Sequence, residues 1–175
     1  MPWRNGGGST TEITVAPEGA GLSGERFLYR VSIADVASDG PFSRFDGYDR
    51  HIMLLDGAGM TIDCGAHGRI VLTKPCEPRA FSGDWDVVGT LVAGPVRDFN
   101  VIVDRARASA TLVVRRVDSP QHVPCSPGTV CIVHVIEGEL AGAAAGDTLV
   151  GDAPFELVPG PRGSARIALA HIVAV

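Results

Sequence analysis

Arginine, amide and acidic residues alternate with apolar ones in two segments of the chain, RFLYRVSIADV and DFNVIVDR. The two-residue period of a β-strand places Arg30 and Ser32 on one face of the first segment, and Asp98 and Asn100 on one face of the second. An arginine donates paired hydrogen bonds to a carboxylate, and an asparagine amide offers both a donor and an acceptor. These four residues predict a binding site for a small polar anion that carries an amide or acyl group.

Residues from three other segments extend this candidate site. Arg50 joins it if the strand DRHIMLLDG enters the same barrel. Ser43 and Arg44 lie in GPFSRF, which is predicted as a loop between strands, where binding residues concentrate. The alternative is that the charged residues form internal ion pairs that brace the barrel, with Arg30 and Arg50 as cations and Glu12 and Asp98 as anions.

The stretch PWRNGGGSTTEI near the start of the chain places a Trp, a cation and an amide ahead of three glycines. Glycine permits positive φ, and successive backbone amides bind anions well. Trp3, Arg4, Asn5 and Gly7 are therefore predicted to fold over a ligand at the mouth of a barrel. The alternative is a hairpin turn in which Trp3 packs as an anchor. A phosphate-binding loop is disfavoured because no G-K-[ST] follows the glycines.

The elements that must position these residues are short strands. Twenty-two glycines and twelve prolines separate segments rich in Val, Ile, Leu and Thr, a pattern typical of all-β proteins. The predicted strands are 10–15, 26–36, 49–57, 68–73, 86–94, 98–105, 109–117, 129–138, 155–160 and 165–175.

An internal repeat divides the chain into two halves. IMLLDGAGMTID and VHVIEGELAGA share an apolar strand, an acidic residue, a Gly and a second strand, which predicts a hairpin with an acidic-Gly turn in each half. The return strands that follow are typical of jelly-roll barrels. We expect a first barrel over residues 1–105, which holds the candidate site, and a second, smaller barrel over 106–175, with strand exchange between the halves.

Charge and hydropathy exclude several classes of partner. A net charge of −5 and the absence of a basic cluster argue against nucleic acid. No apolar run reaches the ~18 residues of a membrane span, and the N-terminus lacks the pattern of a signal peptide, so a cytoplasmic protein is expected. The four cysteines include no C-x-x-C pair and are predicted to be reduced and structural.

Four stretches carry a resemblance to a known family: PWRNGGGSTTEI, RVSIADVASDGPFSRFDGYDRHIMLLDGAGM, FSGDW and VRDFNVIVDR. Together they resemble the HutD family of the cupin superfamily, which is associated with bacterial histidine utilisation. The chain departs from that family's pattern at Arg4, where Lys is expected, and at Asp46, where Pro is expected. The resemblance implies a bicupin fold of two fused jelly-roll barrels, without an established enzymatic activity.

The metal-binding motif of cupins, G-x5-H-x-H-x3-E-x6-G, is not present in this chain. If its last Gly is placed on Gly57, the ligand positions fall on Arg44, Asp46 and Arg50, and two guanidiniums repel a cation. The histidine of the second cupin motif would fall near FSGDWD, where Asp86 is the nearest candidate. The five histidines show no H-x-H or H-x3-H spacing, so neither a metal nor another cofactor is expected.

Three functions compete on this basis. The first is a non-catalytic binding or regulatory protein whose ligand, by the family resemblance, is a small carboxylate of histidine degradation such as formylated or formiminated glutamate or urocanate. The second is a metal-independent enzyme, an isomerase or hydrolase, in which Asp98, Asp46 or Glu12 acts as general base beside an arginine. The third is an interaction protein whose exposed strand edges form a homodimer.

Overall fold

β-Strands form nearly all of the regular structure in the computed structural model, which describes residues 1–3, 6–20, 25–161 and 163–175. The first compact unit is Met1–Arg107, and the second is Ala108–Val175. The strands of the first unit are β1 (Gly8–Ala16), β2 (Tyr29–Val36), β3 (Gly40–Pro41), β4 (Tyr48–Asp56), β5 (Met60–Asp63), β6 (Arg69–Leu72), β7 (Arg79–Ser82), β8 (Val88–Leu91) and β9 (Val96–Asp104), with a 3-10 turn at Gly65–His67. Those of the second are β10 (Ala108–Val117), β11 (Gln121–Val123), β12 (Thr129–Leu140), β13 (Ala143–Ala144), β14 (Thr148–Gly151), β15 (Phe155–Leu157) and β16 (Ala165–Ala174).

Two sheets build the first unit. One has the strand order β1-β2-β9-β4-β7, and the other has the order β3-β8-β5-β6. Apolar side chains from both sheets form one core, in which Ile52 and Leu54 of β4 pack with Met60 and Ile62 of β5. The alternation of apolar and polar residues in these strands buries one face of each sheet, which is why the sequence folds into facing layers.

The register of the larger sheet decides which polar residues meet. Ser32 of β2 lies opposite Asn100 of β9, and Arg50 of β4 lies opposite Ile102 of the same strand. Residues directly opposite one another in a ladder point to the same face of a sheet. Arg50 and Ser32 therefore lie on the same face as Asn100, one strand away on either side.

The second unit has its own core. Its main sheet has the order β10-β16-β12, with β13 and β14 both paired to β12, and β11 pairs with β15 in a two-stranded sheet. Ile167 and Leu169 of β16 pack with Val123 of β11 and Leu157 of β15. Each ladder in the described parts of the chain joins two strands of the same unit, so the predicted strand exchange does not occur in these ladders.

The predicted acidic-Gly hairpins are wrong in both halves, although the repeat behind them is real. β4 and β5 lie in different sheets, so Gly57 turns the chain from one layer to the other. In the second unit β12 continues through Gly138, which follows a register shift between Val135 and Glu137. Both glycines have positive φ and lie against the backbone that opens β9 or β16, which leaves no room for a Cβ atom.

The described residues hold no helix with the length and hydropathy of a membrane span. The four cysteines are free thiols, of which Cys64, Cys125 and Cys131 are buried. Burial raises the pKa of the Cys131 thiol to about 12, and a hydrogen bond with Cys125 adds to this effect. These two thiols lie in the apolar core of the second unit, as expected for structural cysteines.

Candidate functional site

A cavity of about 410 Å³ opens on the larger sheet of the first unit. β2, β9 and β4 supply its sheet face, and the loop after β3 supplies aromatic side chains. Its lining residues are Trp3, Thr10, Arg30, Ser32, Ala34, Pro41, Phe42, Ser43, Phe45, Arg50, Asn100 and Ile102. Six of these twelve are candidates from the sequence: Trp3, Arg30, Ser32, Ser43, Arg50 and Asn100. The ligand-binding role of all of them stays a prediction.

Arg50 is the buried cation of the cavity, with only 5% of its surface exposed. Its Nη2 donates to Asn100 Oδ1 at 3.1 Å, and its Nη1 donates to the backbone carbonyl of Ser43 at 3.2 Å. Its Nε is buried and has no partner among the residues that the structure describes. Burial lowers the pKa of Arg50 to about 10, Asp98 opposes this shift, and the neighbouring Arg30 adds to it. A guanidinium held this way is pre-positioned and retains an unused donor.

Three phenylalanine rings surround the Arg50 guanidinium. Its Cζ lies 5.4 Å from the ring centre of Phe42, 5.5 Å from that of Phe45 and 4.8 Å from that of Phe81. Such rings attract a cation through their negative faces and keep water away from it. The aromatic residues therefore hold the charge of Arg50 in an apolar setting, where its interaction with an anion is stronger than in water.

Asn100 connects Arg50 to a buried carboxylate. Its Nδ2 donates to Asp98 Oδ1, while its Oδ1 accepts from Arg50. Asp98 has no exposed surface and does not line the cavity, and its Oδ2 has no partner in the described residues. Burial raises the pKa of Asp98 to about 7, with Arg50 and the Asn100 hydrogen bond opposing the shift. The structure therefore places Asp98 behind Asn100, away from a bound molecule.

Arg30 is the second cation of the cavity, and it has a partner. Its Nε lies 2.7 Å from Glu12 Oε2 on the neighbouring strand β1. The side chains of Arg30 and Glu12 are 14% and 21% exposed, so the pair is largely shielded from solvent. The geometry of Arg30 and Glu12 is that of an internal ion pair, which is the alternative to ligand binding given in the sequence analysis. Glu12 itself does not line the cavity, because its carboxylate is turned toward Arg30.

The opening stretch lies beside the cavity through Trp3. The indole Nε1 donates to Thr10 Oγ1 at 2.8 Å, and the ring also packs against the apolar core of the first unit. Gly7 accepts hydrogen bonds from Ala37 and Ser38 through its carbonyl and does not line this cavity. Trp3 thus both anchors the segment and lines the cavity. Arg4 and Asn5 lie outside the described residues.

Arg44 lies on the surface rather than in the cavity. Its Nε is 2.6 Å from Asp46 Oδ1, and its Nη1 is 3.4 Å from Asp86 Oδ1, with more than half of each side chain exposed. The loop turns Arg44 outward while Ser43, beside it, lines the cavity. The position of Arg44 therefore does not support direct contact with a molecule in the cavity.

The residues at the cupin metal positions do not fit a cation. Arg50 is a buried guanidinium, and Asp46 is exposed and paired with Arg44. Across residues 1–3, 6–20, 25–161 and 163–175, no group of three or more His, Cys, Asp and Glu side chains is arranged to hold a metal ion. No chemistry through a metal is derived from these residues.

Six lining residues were not predicted from the sequence, and one of them, Thr10, had a detectable signal. Thr10 shares a strand face with Glu12 by alternation along β1, so the same argument that selected Arg30 and Ser32 applies to it. Phe42 and Phe45 flank the selected loop residues, but nothing in their spacing shows that their rings turn inward. The others are Ala34, Pro41 and Ile102.

The arrangement as a whole can hold an anion but offers no evident catalytic pair. Arg50 and Arg30 supply positive charge, and Ser32, Thr10 and Asn100 supply polar atoms at the cavity wall. None of the twelve lining residues is an aspartate, glutamate, histidine, lysine or cysteine, the usual general acids and bases. The cavity thus combines two guanidinium groups with hydroxyl and amide groups and with apolar walls.

The chain is similar in sequence to a known family and to a curated protein. The HutD family model matches residues 1–158 of the chain. A protein from Pseudomonas putida, described as an uncharacterized 21.2 kDa protein in the hutC 3' region, is 46% identical over 113 residues. That match covers 64% of this chain and 57% of the relative, so it spans little more than half the length of that protein.

The chain is also similar in structure to solved proteins. A conserved protein of unknown function from Pseudomonas aeruginosa has a TM-score of 0.84 and 33% identity, over 99% of this chain and 93% of its own. HutD from Pseudomonas fluorescens, in a formate condition, has a TM-score of 0.79 and 36% identity, over 100% and 93%. A cupin 2 conserved barrel domain protein from Leptotrichia buccalis shares the fold alone, with a TM-score of 0.59 and 10% identity, over 96% and 89%. The predicted all-β bicupin class is confirmed.

Proposed function

The chain belongs to the HutD family, and from this premise we propose that its first unit binds a small carboxylate metabolite in the cytoplasm without converting it. The observation that carries the proposal is the unpaired Nε donor of Arg50 in the described residues. This donor is buried, belongs to a residue that lines a cavity of about 410 Å³, and has no partner in the described residues. A buried donor without a partner costs about 1–3 kcal/mol, which an acceptor on a ligand would recover.

The neighbours of Arg50 support a carboxylate over other acceptors. Asn100 and the Ser43 carbonyl fix the guanidinium plane from the protein side. The unused donors are the Nε hydrogen and one hydrogen on each terminal nitrogen. These donors can bind a planar acceptor group. A carboxylate matches this fork with two parallel hydrogen bonds, and its charge complements the two arginines.

The remaining walls describe the rest of the ligand. Trp3, Phe42 and Phe45 offer apolar surface, while Ser32 and Thr10 offer hydroxyl groups. A molecule with one flat or acyl group and one polar tail uses both kinds of wall. The names of the relatives from Pseudomonas putida and Pseudomonas fluorescens refer to hut genes. We therefore propose N-formyl-L-glutamate, N-formimino-L-glutamate and urocanate as the first molecules to test.

Thermal denaturation of the purified protein tests this function. Each of the three metabolites is added in a concentration series, with the methyl ester or amide of the same molecule, in which every carboxylate is blocked, as its matched control. A ligand at ~100 times its Kd adds about 2.7 kcal/mol, which raises the Tm of a protein of this size by several degrees. We expect a shift with at least one acid and none with its blocked counterpart. The absence of a shift with all three acids contradicts the proposal.

An enzymatic function is the second candidate, and one observation favours it. The pKa of Asp98 is raised to about 7, which suits a general base at neutral pH. Asp98 reaches the cavity only through Asn100, so it has no direct path to a reacting atom. Incubation of the protein with each metabolite, followed by NMR of the small molecule, separates the two functions. New resonances that require the protein favour the enzyme.

A further inference from the structure

The buried charges beside the cavity fall into two pairs. Arg30 and Glu12 are in direct contact at 2.7 Å, so their charges cancel locally. Arg50 and Asp98 interact through Asn100, which accepts from the first and donates to the second. When Asp98 is ionised, these four groups carry no net charge. A carboxylate that enters the cavity therefore adds one uncompensated negative charge.

Asp98 is the group that responds most to this added charge. On either side of it in the sheet lie Ala34 of β2 and Leu54 of β4, both part of the apolar core. The charged groups that act on it are Arg50 from β4 and Asp35 from β2, and Asp35 is itself exposed and paired with Arg97 at 3.7 Å. Among the residues that the structure describes, Arg50 is thus the single cation that offsets the charge of Asp98.

A bound carboxylate and an ionised Asp98 compete for the same guanidinium. The charge of Asp98 is favourable in this apolar setting only to the extent that Arg50 stabilises it. A ligand anion on Arg50 uses that stabilisation and repels Asp98 as a like charge. Protonation of Asp98 removes the repulsion. The neutral carboxyl can still accept from Asn100 through one oxygen, so Asn100 keeps its orientation toward Arg50.

We propose that the first unit binds its carboxylate ligand together with one proton, and that Asp98 is the residue that takes up this proton. The inference rests on the proposed binding function and adds its regulation. Asp98 is a positioning residue in this scheme, because it acts on the ligand through Asn100 and Arg50. No bond other than the O–H bond of Asp98 forms, and the proton comes from solvent.

The pH dependence has a defined sign. Burial raises the pKa of Asp98 to about 7 in the free protein, and a bound anion raises this pKa further. Below pH 7, Asp98 is already protonated before binding, so the affinity is highest and level. Between the pKa of Asp98 in the free protein and its pKa in the complex, each unit rise in pH weakens binding by up to about tenfold. The reason is that one proton is taken up from solvent for each ligand that binds. The affinity for the anion therefore falls as the pH rises above about 7.

Isothermal titration calorimetry measures this proton directly. N-formyl-L-glutamate is the probe, because it has no group that titrates near neutral pH. The binding heat is measured in two buffers whose ionisation enthalpies differ, MES and Bis-Tris at pH 5.5 and HEPES and Tris at pH 7.5. We expect equal heats in the two buffers at pH 5.5 and, at pH 7.5, a difference that corresponds to 0.5–1 proton taken up per ligand, about the fraction that a pKa near 7 implies.

Two variants identify the residue that takes up the proton. In Asp98→Asn we expect binding without proton uptake and with an affinity that is level from pH 5.5 to 8.5. The matched control is His51→Gln, since His51 is a titratable residue of the same strand, its pKa is lowered by burial, and it lies on the opposite face of β4 from Arg50. We expect this control to keep the uptake. Loss of uptake in His51→Gln and its retention in Asp98→Asn would overturn the assignment.

A measurement on the unaltered protein covers the case in which Asp98→Asn does not fold. Infrared difference spectra with and without N-formyl-L-glutamate at pH 7.5 should show the carbonyl band of a newly protonated carboxyl group. Binding with equal heats in both buffers and without this band contradicts the proton-coupled inference and leaves the binding function standing. Absence of binding at both pH values contradicts the inference for this ligand, and the binding function is contradicted as well when urocanate and N-formimino-L-glutamate also fail to bind.

Discussion

Glu12 neutralises Arg30 across two neighbouring strands, with Glu12 Oε2 2.7 Å from Arg30 Nε. The contact is diagonal, since Glu12 is opposite Ser32 and Val15 is opposite Arg30, and a register shift between Glu12 and Thr14 lies beside it in β1. The pair leaves Arg50 as the cation of the cavity without a direct acidic partner in the described residues. The anion site is therefore asymmetric, with one satisfied and one receptive guanidinium.

Removal of the carboxylate of Glu12 should strengthen anion binding. Glu12→Gln keeps the shape of the side chain but frees the charge of Arg30, so the cavity gains one net positive charge. We expect the Kd for N-formyl-L-glutamate to fall by about threefold to tenfold, equivalent to ~0.6–1.4 kcal/mol. Calorimetry at pH 6 measures it, with Glu77→Gln as control because Glu77 is paired with the exposed Arg79 outside the cavity. A weaker affinity in Glu12→Gln would mean that Glu12 itself contacts the ligand.

Loss of the Arg50 guanidinium should weaken binding strongly while sparing the fold. Arg50→Met removes a charge-assisted bidentate contact worth about 2–3 kcal/mol, so the affinity falls by roughly thirtyfold to more than one hundredfold. Burial is the largest influence on Arg50 and disfavours its charge, so we expect the Tm of the ligand-free protein at pH 6 to change little. Arg79→Met, on the surface, is the control. A large fall in the ligand-free Tm at pH 6, with unchanged affinity, supports the structural alternative.

The stability of the protein should fall as the pH rises from about 4 to about 7, and Asp98 should cause this. Its folded pKa is about 7, against roughly 3.9 for an unfolded aspartate. Between these values the folded state binds more protons than the unfolded state, so the free energy of unfolding decreases up to about pH 7 and is then level. Asp98→Asn should be more stable than the wild type at pH 8, by up to about 4 kcal/mol, and similar near pH 4. Urea unfolding at several pH values tests this, and parallel curves for the two proteins would contradict it.

The layer-crossing glycine of the first unit should not tolerate a side chain. A Cβ at Gly57 would lie 2.7 Å from the carbonyl oxygen of Pro95 and 2.9 Å from the Cα of Val96, so the backbone must shift. Gly142 is a matched control, since its φ is also positive but its surroundings are open. We expect Gly142→Ala to lose about 1–2 kcal/mol of stability and Gly57→Ala a further ~1–3 kcal/mol. Equal losses in denaturant unfolding would show that the close approach is relieved without cost.

Local alternation in the sequence is enough to bring the polar residues of the cavity together. Arg30 with Ser32, and Asn100 with Asp98, share strand faces because a strand has a period of two, and three of these four residues line the cavity. Alternation does not report how deep a residue lies along its strand. Asp98 is two residues from Asn100, yet it is buried in the core, where its only hydrogen-bond donor is Asn100 among the residues described.

The rest of the site depends on long-range features that a local pattern does not encode. The Arg30–Glu12 pair requires that β1 lies beside β2 with Glu12 opposite Ser32, and neither this pairing nor the register shift after Glu12 has a signature in a single sequence. Phe42 and Phe45 reach Arg50 because the loop after β3 folds back over the sheet. Gly57 reads locally as a hairpin turn, and only the pairing of β5 with β6 and β8 shows that it links two layers.

Trp3 is an intrinsic fluorophore in the wall of the cavity. The chain has two tryptophans, and the other, Trp85, stacks on His67 with ring centres 4.2 Å apart. Indole emission depends strongly on the polarity around the ring, and the Trp3 ring forms part of the cavity wall with its Nε1 bonded to Thr10. With Trp85 replaced by Phe, a single fluorophore remains at the cavity wall. Its emission then reports occupancy of the cavity without a label, in dilute solution and on the time scale of ligand arrival.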